Sequence, residues 1–415
     1  MKKKNRLLLV ESEMKGPSGH FLDNLIETTN TFRKKLNIDW IVNKDFDHQN
    51  TFIPDKIKIF KYISTNKFKR KENKIFYLLE ELYLFFLNIY YVFFFSFFFL
   101  ITGKFSHYIK ALRSNYFLLP RYFISFYFKY KDLKLSKNDH IFFQTARRKD
   151  IALINFITKI HNDHPIFHIR VMLPPKKKFK GFFYYLNELN GKLKKGRVFV
   201  YLFSVDTHKL FLKNSLGREG ILMSNVPSSF YNRKVKYKTI IGFVGNPRRS
   251  RGFHLIPKLI DILEKNNNSF NYLIQFFKVP DNLLKTKDEL YSLSKQNKKI
   301  RIIEKYCDYK QFRDTLKKID IMPILSSANE INKNTSATMY SCITHQIPFI
   351  IPKGTNFMNN IIKFKSFEKG NSLNEKAKCI LKISRNYKFY LKNGKLNSNI
   401  LKNILRNDPL RKNIF

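Results

Sequence analysis

The segment Tyr237–Leu263, YKTIIGFVGNPRRSRGFHLIPKLIDIL, restricts this chain more than any other stretch. Thr239 to Val244 is a short apolar run of the kind a buried parallel strand requires. It breaks at Gly245, passes through Pro247, Arg248, Arg249, Ser250 and Arg251, and resumes at Gly252. Ile256, Leu259, Ile260 and Leu263 then recur at i, i+3, i+4 and i+7, the spacing of an amphipathic helix. A strand thus feeds a triply basic loop, flanked by glycine, onto a helix start. Free N–H groups and the helix dipole favour an anion there, and arginines can fork onto phosphate oxygens. Glycine on both sides permits close approach of backbone to ligand. The competing reading is a βα turn that is basic because the whole chain is.

At 415 residues the chain exceeds one ordinary core and suits two domains of roughly 200 residues each. A hydrophobic content of 44% is enough to fold and excludes global disorder. The net charge of +47 and pI near 10.1 point to anionic partners. Lys, Asn, Ile and Phe are abundant whereas Gly and Pro number 14 each, the bias of A/T-rich codons, so part of that charge belongs to solvated faces. Cys307, Cys342 and Cys379 are far apart and form no CxxC. They fit neither a disulfide framework nor a zinc site, and a reducing cytoplasmic setting is the simplest expectation. Lys2, Lys3, Lys4 and Arg6 imitate a signal peptide, but Leu7 to Val10 ends at Glu11, too short for its apolar core. It reads as a first strand.

Strand and helix patterns alternate along both halves. Expected strands are Arg6–Val10, Asp39–Val42, Lys56–Phe60, His140–Gln144, Ile166–Val171, Val198–Phe203 and Gly220–Met223 in the first. Those of the second are Thr239–Val244, Tyr272–Phe276, Lys299–Ile303, Ile319–Ile324 and Pro348–Ile351. Such alternation argues for an α/β fold with parallel sheets covered by helices. The polar, turn-rich NVPSSFYNRKVKY, Asn225 to Tyr237, separates an expected first domain at 1–228 from a second at 238–400. Ile75 to Gly103 stands apart, with no charge between Glu81 and Lys104. It is long enough to span a bilayer, yet the strands before and after it belong to one expected sheet. A buried core helix and an element lying on the membrane surface are the other readings. Phe105 to Tyr130 interleaves aromatics with Lys110, Arg113, Arg121 and Lys129, a mixture suited to an anionic interface. The segment 75–130 is therefore expected to be helical, rich in aromatics and membrane-associating.

Taken together, these motifs resemble a glycosyltransferase of the GT-B fold, near the large retaining glycosyltransferase family 4 (glycosyl transferases group 1). The family's donor loop reads Gly-Arg, four residues, Lys-Gly; here Gly245-Asn246, four residues, Arg251-Gly252 stand in that order. By the resemblance Arg251 takes the place of a lysine that contacts the donor diphosphate. Asn246 replaces the family's arginine, and Arg248 or Arg249 is the available compensation. ILMSNVPSSF is similar to the step before the interdomain linker, and FRDTLKKIDIMPILSS to the unit preceding the sugar-nucleotide site, with Asp320 in the usual place. TSATMYSCITHQIPFII is similar to the next helix and strand, and KGPSGH, with Gly19 and His20, to the glycine loop of the first domain. The match covers most of the chain, and the order of the motifs carries it.

The resemblance implies two Rossmann-like domains facing across a cleft, a nucleotide-sugar donor and no metal; no DxD pair stands near these loops. It departs from the family at the glutamate pair, since the positions counted back from Pro348 hold Ser341 and Lys333. Glu330, three residues away, is either a ligand for sugar or ribose or a solvated loop acid. Thr335, Ser336, Ala337 and Thr338 offer hydroxyls and N–H groups to a phosphate at a helix start. Gln144 and Arg147 follow a first-domain strand at the crevice end, where α/β ligands bind. With Glu330 they complete the catalytic candidates. His140, at the start of its strand, and His168, inside one, read as structural. The expected activity is transfer of a sugar to a cell-surface polysaccharide or lipid-linked acceptor, at the inner face of the membrane. Two rivals remain: a basic nucleic-acid-binding protein, and a non-catalytic membrane-surface protein on the same fold.

Overall fold

The computed structural model describes residues 4–12, 14, 20–43, 46, 52–62, 86, 89–90, 93, 96–97, 100–101, 126–127, 129–172, 180–203, 205–234, 239–266, 270–334, 336–356 and 361–415. By its contacts the chain divides into two units, Met1–Val226 with Lys412–Phe415, and Pro227–Arg411.

The first unit is built on seven strands: β1 (Arg6–Glu11), β2 (Asn37–Asn43), β3 (Lys58–Tyr62), β4 (His140–Phe143), β5 (Ile166–Val171), β6 (Val198–Leu202) and β7 (Ile221–Met223). They pair in the order β3-β2-β1-β4-β5-β6-β7, all parallel. Because helices cover both faces, the central strands are apolar nearly throughout; RLLLVE of β1 is buried from Leu7 to Glu11. One face carries Leu8, Val10, Ile141, Phe143, Ile169 and Val200 beneath the helices Arg148–Ile160 and Lys180–Glu188. The other carries Trp40, whose indole N–H donates to Thr29 Oγ1 on the helix His20–Phe32 at 2.9 Å.

The expected membrane segment divides. Helical positions 86, 90, 93, 97, 100 and 101 place Phe86, Tyr90, Phe93, Phe97, Leu100 and Ile101 in solvent, each 59–72% exposed. Phe126, Tyr127 and Tyr130, by contrast, are core residues. Phe126 packs on Phe143 at 5.7 Å, and Tyr127 stacks on His161 at 5.6 Å. These three rings recur at helical spacing and cover the sheet, so they are not interface aromatics. The remainder of 75–130 lies outside the described residues. Among the described residues no helix is long and apolar enough to cross a membrane.

A polar ladder runs across the buried face of this sheet. His140 Nδ1 meets His168 Nε2 at 2.9 Å, His168 Nδ1 meets the Tyr201 hydroxyl at 2.9 Å, and Asn413 Nδ2 donates to that hydroxyl at 3.2 Å. Burial holds both imidazoles neutral. It lowers His140 from 6.5 to about 4, with Asp139 opposing and Arg197 adding, and His168 far below its ordinary value, helped by His140. The unfolded chain therefore takes up protons first as pH falls, and stability drains away from about pH 6.5 towards about 4. Each histidine contributes a slope of up to about 1.4 kcal/mol per pH unit. Denaturant titrations over this range should show a shallower slope for His168→Gln than for wild type; equal slopes would refute the assignment.

The second unit repeats the plan with β8 (Ile240–Val244), β9 (Asn271–Phe276), β10 (Ile300–Glu304), β11 (Met322–Pro323), β12 (Phe349–Ile351) and β13 (Phe367–Lys369). Its strands pair as β10-β9-β8 and β11-β12-β13, all parallel, and a parallel bridge between Ile241 and Ile321 joins the two sets. Read across that bridge, both units have the Rossmann strand order, with the direction of winding reversing between β1 and β4 and between β8 and β11. The core of this unit gathers Ile241, Phe243, Leu259, Ile260, Leu263, Ile274 and Ile380. β13, with sequence FEK, and the helix Ala328–Asn334 have no counterpart in the sequence expectations. The strand is short and polar, and the helix lies where a loop is expected.

Candidate phosphate-binding site

Ligands of open α/β sheets bind beyond the carboxyl ends of the strands at the point where winding reverses. In the second unit that point lies between β8 and β11, and the loop Gly245–Gly252 leaves β8 there. Gly245 has φ of 118° and Gly252 of 74°, so both occupy left-handed backbone that favours glycine. The Gly245 N–H donates to the carbonyl of Gln275 at 3.2 Å and to its Oε1 at 3.3 Å, while Gln275 Nε2 donates to the Lys305 carbonyl. Gln275 thus fixes the loop entrance, a role its buried place at the end of β9 signals only after the pairing of β9 with β8 is known.

Gly252 does not open the helix as the sequence pattern suggests. Arg249–Arg251 and Phe253–Leu255 are two 3-10 turns, and the α-helix runs over Ile256–Lys265 with proline in its first turn. Gly252 ends the first turn, and its N–H donates to the Arg249 carbonyl at 3.0 Å. A Cβ at this position would lie 2.4 Å from Leu325 Cβ and 2.7 Å from the Leu325 carbonyl oxygen. The physical reason for this glycine is therefore contact with the loop after β11, not delivery of a free N–H to a ligand.

That contact joins the arginine loop to the next candidate. Arg248, Arg249 and Arg251 are exposed, as is Asn246. Although solvent reaches Arg251, desolvation lowers its pKa, Arg248 pushes the same way, and Glu330 opposes both. A Cβ on Gly245 would stand 3.7 Å from Arg251 Nη1, so the guanidinium lies back over the first glycine. Glu330 is half-buried in the helix Ala328–Asn334, not in a loop, and its N–H donates to Ser327 Oγ at 3.2 Å. The structure therefore brings Gly245, Arg248, Arg251, Gly252 and Glu330 into one neighbourhood, with positive charge in excess.

Ser336 caps the helix Ala337–Thr344, its hydroxyl accepting from the Met339 N–H at 3.2 Å. Ala337 and Thr338 occupy the first turn, exposed and half-buried. Thr335 and Gly19 lie outside the described residues, and of His20 only its place at the start of the first helix is described.

In the first unit, Gln144 follows β4, is fully buried and has no hydrogen-bond partner for either side-chain polar atom among the described residues. Strand register puts it in one row with Glu11 at the end of β1 and Arg170 at the end of β5, each 1% exposed. Arg170 also covers the Phe142 ring at 4.7 Å. Glu11 is visible in the sequence only as the charge that ends the first apolar run, and Arg170 is hidden inside a run that reads as plain strand. Arg147 is exposed at the start of its helix, its N–H donating to Asp150 Oδ2 at 2.7 Å.

No family model matches the sequence, and no curated protein does. Solved structures are similar in fold. They include a sucrose-phosphate synthase from Thermosynechococcus elongatus, with TM-score 0.58 and 9% identity over 97% of this chain and 95% of that one. A glycosyltransferase from Rickettsia africae gives 0.55 and 13% over 99% and 96%. HepE from Anabaena, in complex with UDP and glucose, gives 0.54 and 12% over 95% and 94%. At such identities the likeness is one of architecture. With two Rossmann-type units wound in the same order, this chain has the GT-B fold of those enzymes.

Proposed function

We propose that the protein is a glycosyltransferase that takes a sugar from a nucleotide-diphosphate donor to a cell-surface polysaccharide or lipid-linked acceptor, with retention at the anomeric carbon. The observation that carries the reading is the glycine-bounded loop with Arg248, Arg249 and Arg251 at the switch point of the second unit. When the bond from the anomeric carbon to the diphosphate breaks, its electron pair goes to a phosphate oxygen. The acceptor hydroxyl oxygen bonds to the carbon, and its proton passes to the departing diphosphate oxygen or to solvent. Guanidinium groups beside the diphosphate stabilise the charge that gathers there as the bond breaks. The diphosphate's own charge balances the local excess of arginine. HepE, of similar fold, was solved with UDP and glucose, which supports the same donor class here. No metal or other cofactor is assigned to the reaction.

The proposed setting is the cytoplasmic face of the membrane. Its support is the stripe of Phe86, Tyr90, Phe93, Phe97, Leu100 and Ile101, which recurs at three- and four-residue spacing and is exposed along its length. Acceptors assembled on lipid carriers are presented at such a surface.

A thermal-shift panel of UDP-, GDP-, ADP- and CMP-sugars tests the donor. Ligand at a hundred times its dissociation constant stabilises by about 2.7 kcal/mol, so one member of the panel should raise the melting temperature clearly. No shift with any nucleotide sugar, together with salt-sensitive RNA binding, would replace this reading by the nucleic-acid one. A shift without turnover would leave a non-catalytic member of the fold.

A further inference from the structure

The longest described helix, Tyr387–Arg406, has 20 residues and no acidic side chain. Its inner face buries Tyr390, Leu391, Gly394, Asn397, Ser398 and Leu401 against the second unit. Its outer face repeats Lys388, Lys392, Lys395, Asn399, Lys402 and Arg406 at steps of three and four, a single stripe about 27 Å long. All are exposed except Lys395, which is half-buried. Like charges three or four residues apart repel by a few tenths of a kcal/mol per pair, and no acid stands at i±3 or i±4 of any of the five cations.

Codon bias towards lysine does not explain the pattern, because it acts on every helix. Elsewhere in this unit lysines on surface helices meet acids, as Lys265 does with Asp261 at 2.8 Å and Lys317 with Asp314 at 2.7 Å. A second observation concerns aromatic residues. Phe389, on the same helix, is 52% exposed. On the buried face of the helix Asn397 Oδ1 accepts from the N–H groups of Lys363 and Phe364 at 3.0 and 2.9 Å, which ties the segment carrying exposed Lys363 and 41%-exposed Phe364 to its inner side. A linear array of cations flanked by the exposed ring of Phe389 matches a surface of anionic headgroups over an apolar layer. A double-stranded nucleic acid would use the charges and leave the ring in water, because its bases are stacked on one another.

We infer that the outer face of Tyr387–Arg406 docks the second unit on an anionic phospholipid surface. This contact is separate from the apolar stripe of the first unit and from the arginine loop, and its failure would leave both standing. The test is co-sedimentation of the full chain with phosphatidylcholine vesicles, with and without phosphatidylglycerol. Wild type should bind the anionic vesicles, more weakly as salt rises. Replacing Lys388, Lys392 and Lys402 together by glutamine should weaken that binding by about a hundredfold, given the usual contribution of each cation near a charged bilayer. The corresponding triple arginine variant should bind as wild type does. Thermal melts and nucleotide-sugar binding, unchanged in both, show that the fold is intact. Equal vesicle binding by wild type and the glutamine variant would overturn the inference. So would RNA binding, lost in that variant, by a wild type that ignores vesicles; that result would assign the face to nucleic acid.

Discussion

Nucleotide-sugar affinity should fall by about a hundredfold or more when Arg248, Arg249 and Arg251 are together replaced by alanine. Each charge-assisted hydrogen bond to a phosphate is worth about 1.5–3 kcal/mol, or roughly ten- to hundredfold in affinity. Arg251 alone should give less than the full effect, because Arg248 stands close enough to shift its pKa and can take over part of the contact. Glu330 answers to the opposite sign. It stands beside Arg251 as a negative charge competing with the diphosphate, so Glu330→Gln should leave diphosphate binding as tight as in wild type or tighter. Calorimetric titration with the best nucleotide sugar from the thermal panel measures the first effect directly. Wild-type affinity in a folded triple variant would reduce the loop to a basic turn.

The largest expected loss of stability lies elsewhere, at Arg233. Its side chain is 1% exposed and faces Asp320, 3% exposed, with Nη1 3.3 Å from Oδ1. The guanidinium also donates to the carbonyls of His345 at 3.1 Å, Lys317 at 3.3 Å and Leu316 at 2.8 Å. The other oxygen of Asp320 accepts from the Ile240 N–H, which anchors the start of β8. Removing one partner of a buried pair strands the other charge, at a cost of about 3–5 kcal/mol. Arg233→Ala should therefore lower the denaturant midpoint and reduce the melting temperature by about 10 °C. Combining Arg233→Met with Asp320→Leu should recover part of the loss, since neither charge is then left alone. A single-variant loss below about 1 kcal/mol would show that water replaces the guanidinium.

Asp320 illustrates how resemblance and structure divide the work. The sequence places it correctly at the foot of β11, yet its partner lies 87 residues earlier, in a stretch that reads as a polar linker. Gly252 is similar. Its neighbours signal a βα loop, but the close approach of Leu325 depends on β8 and β11 being adjacent. Glu330 is visible in the sequence as an acid near the donor motifs. Its influence on Arg251 follows from the loop after β11 packing under Gly252.

The sequence by itself determined the α/β class, the two successive βα series and most strand positions. Ile166–Val171 reads correctly from end to end, and Ile240–Val244 to within one residue. These are local properties: a parallel strand buried on both faces must be a short apolar run, and its helices must repeat apolar residues every three or four. Strand order is not local, and only the tertiary structure decided it. The same is true of the row Glu11, Gln144 and Arg170, of the ladder from His140 to Asn413, and of the ion pair at Arg233. Each depends on chain segments far apart in sequence meeting in space, and no periodicity along the chain encodes such a meeting.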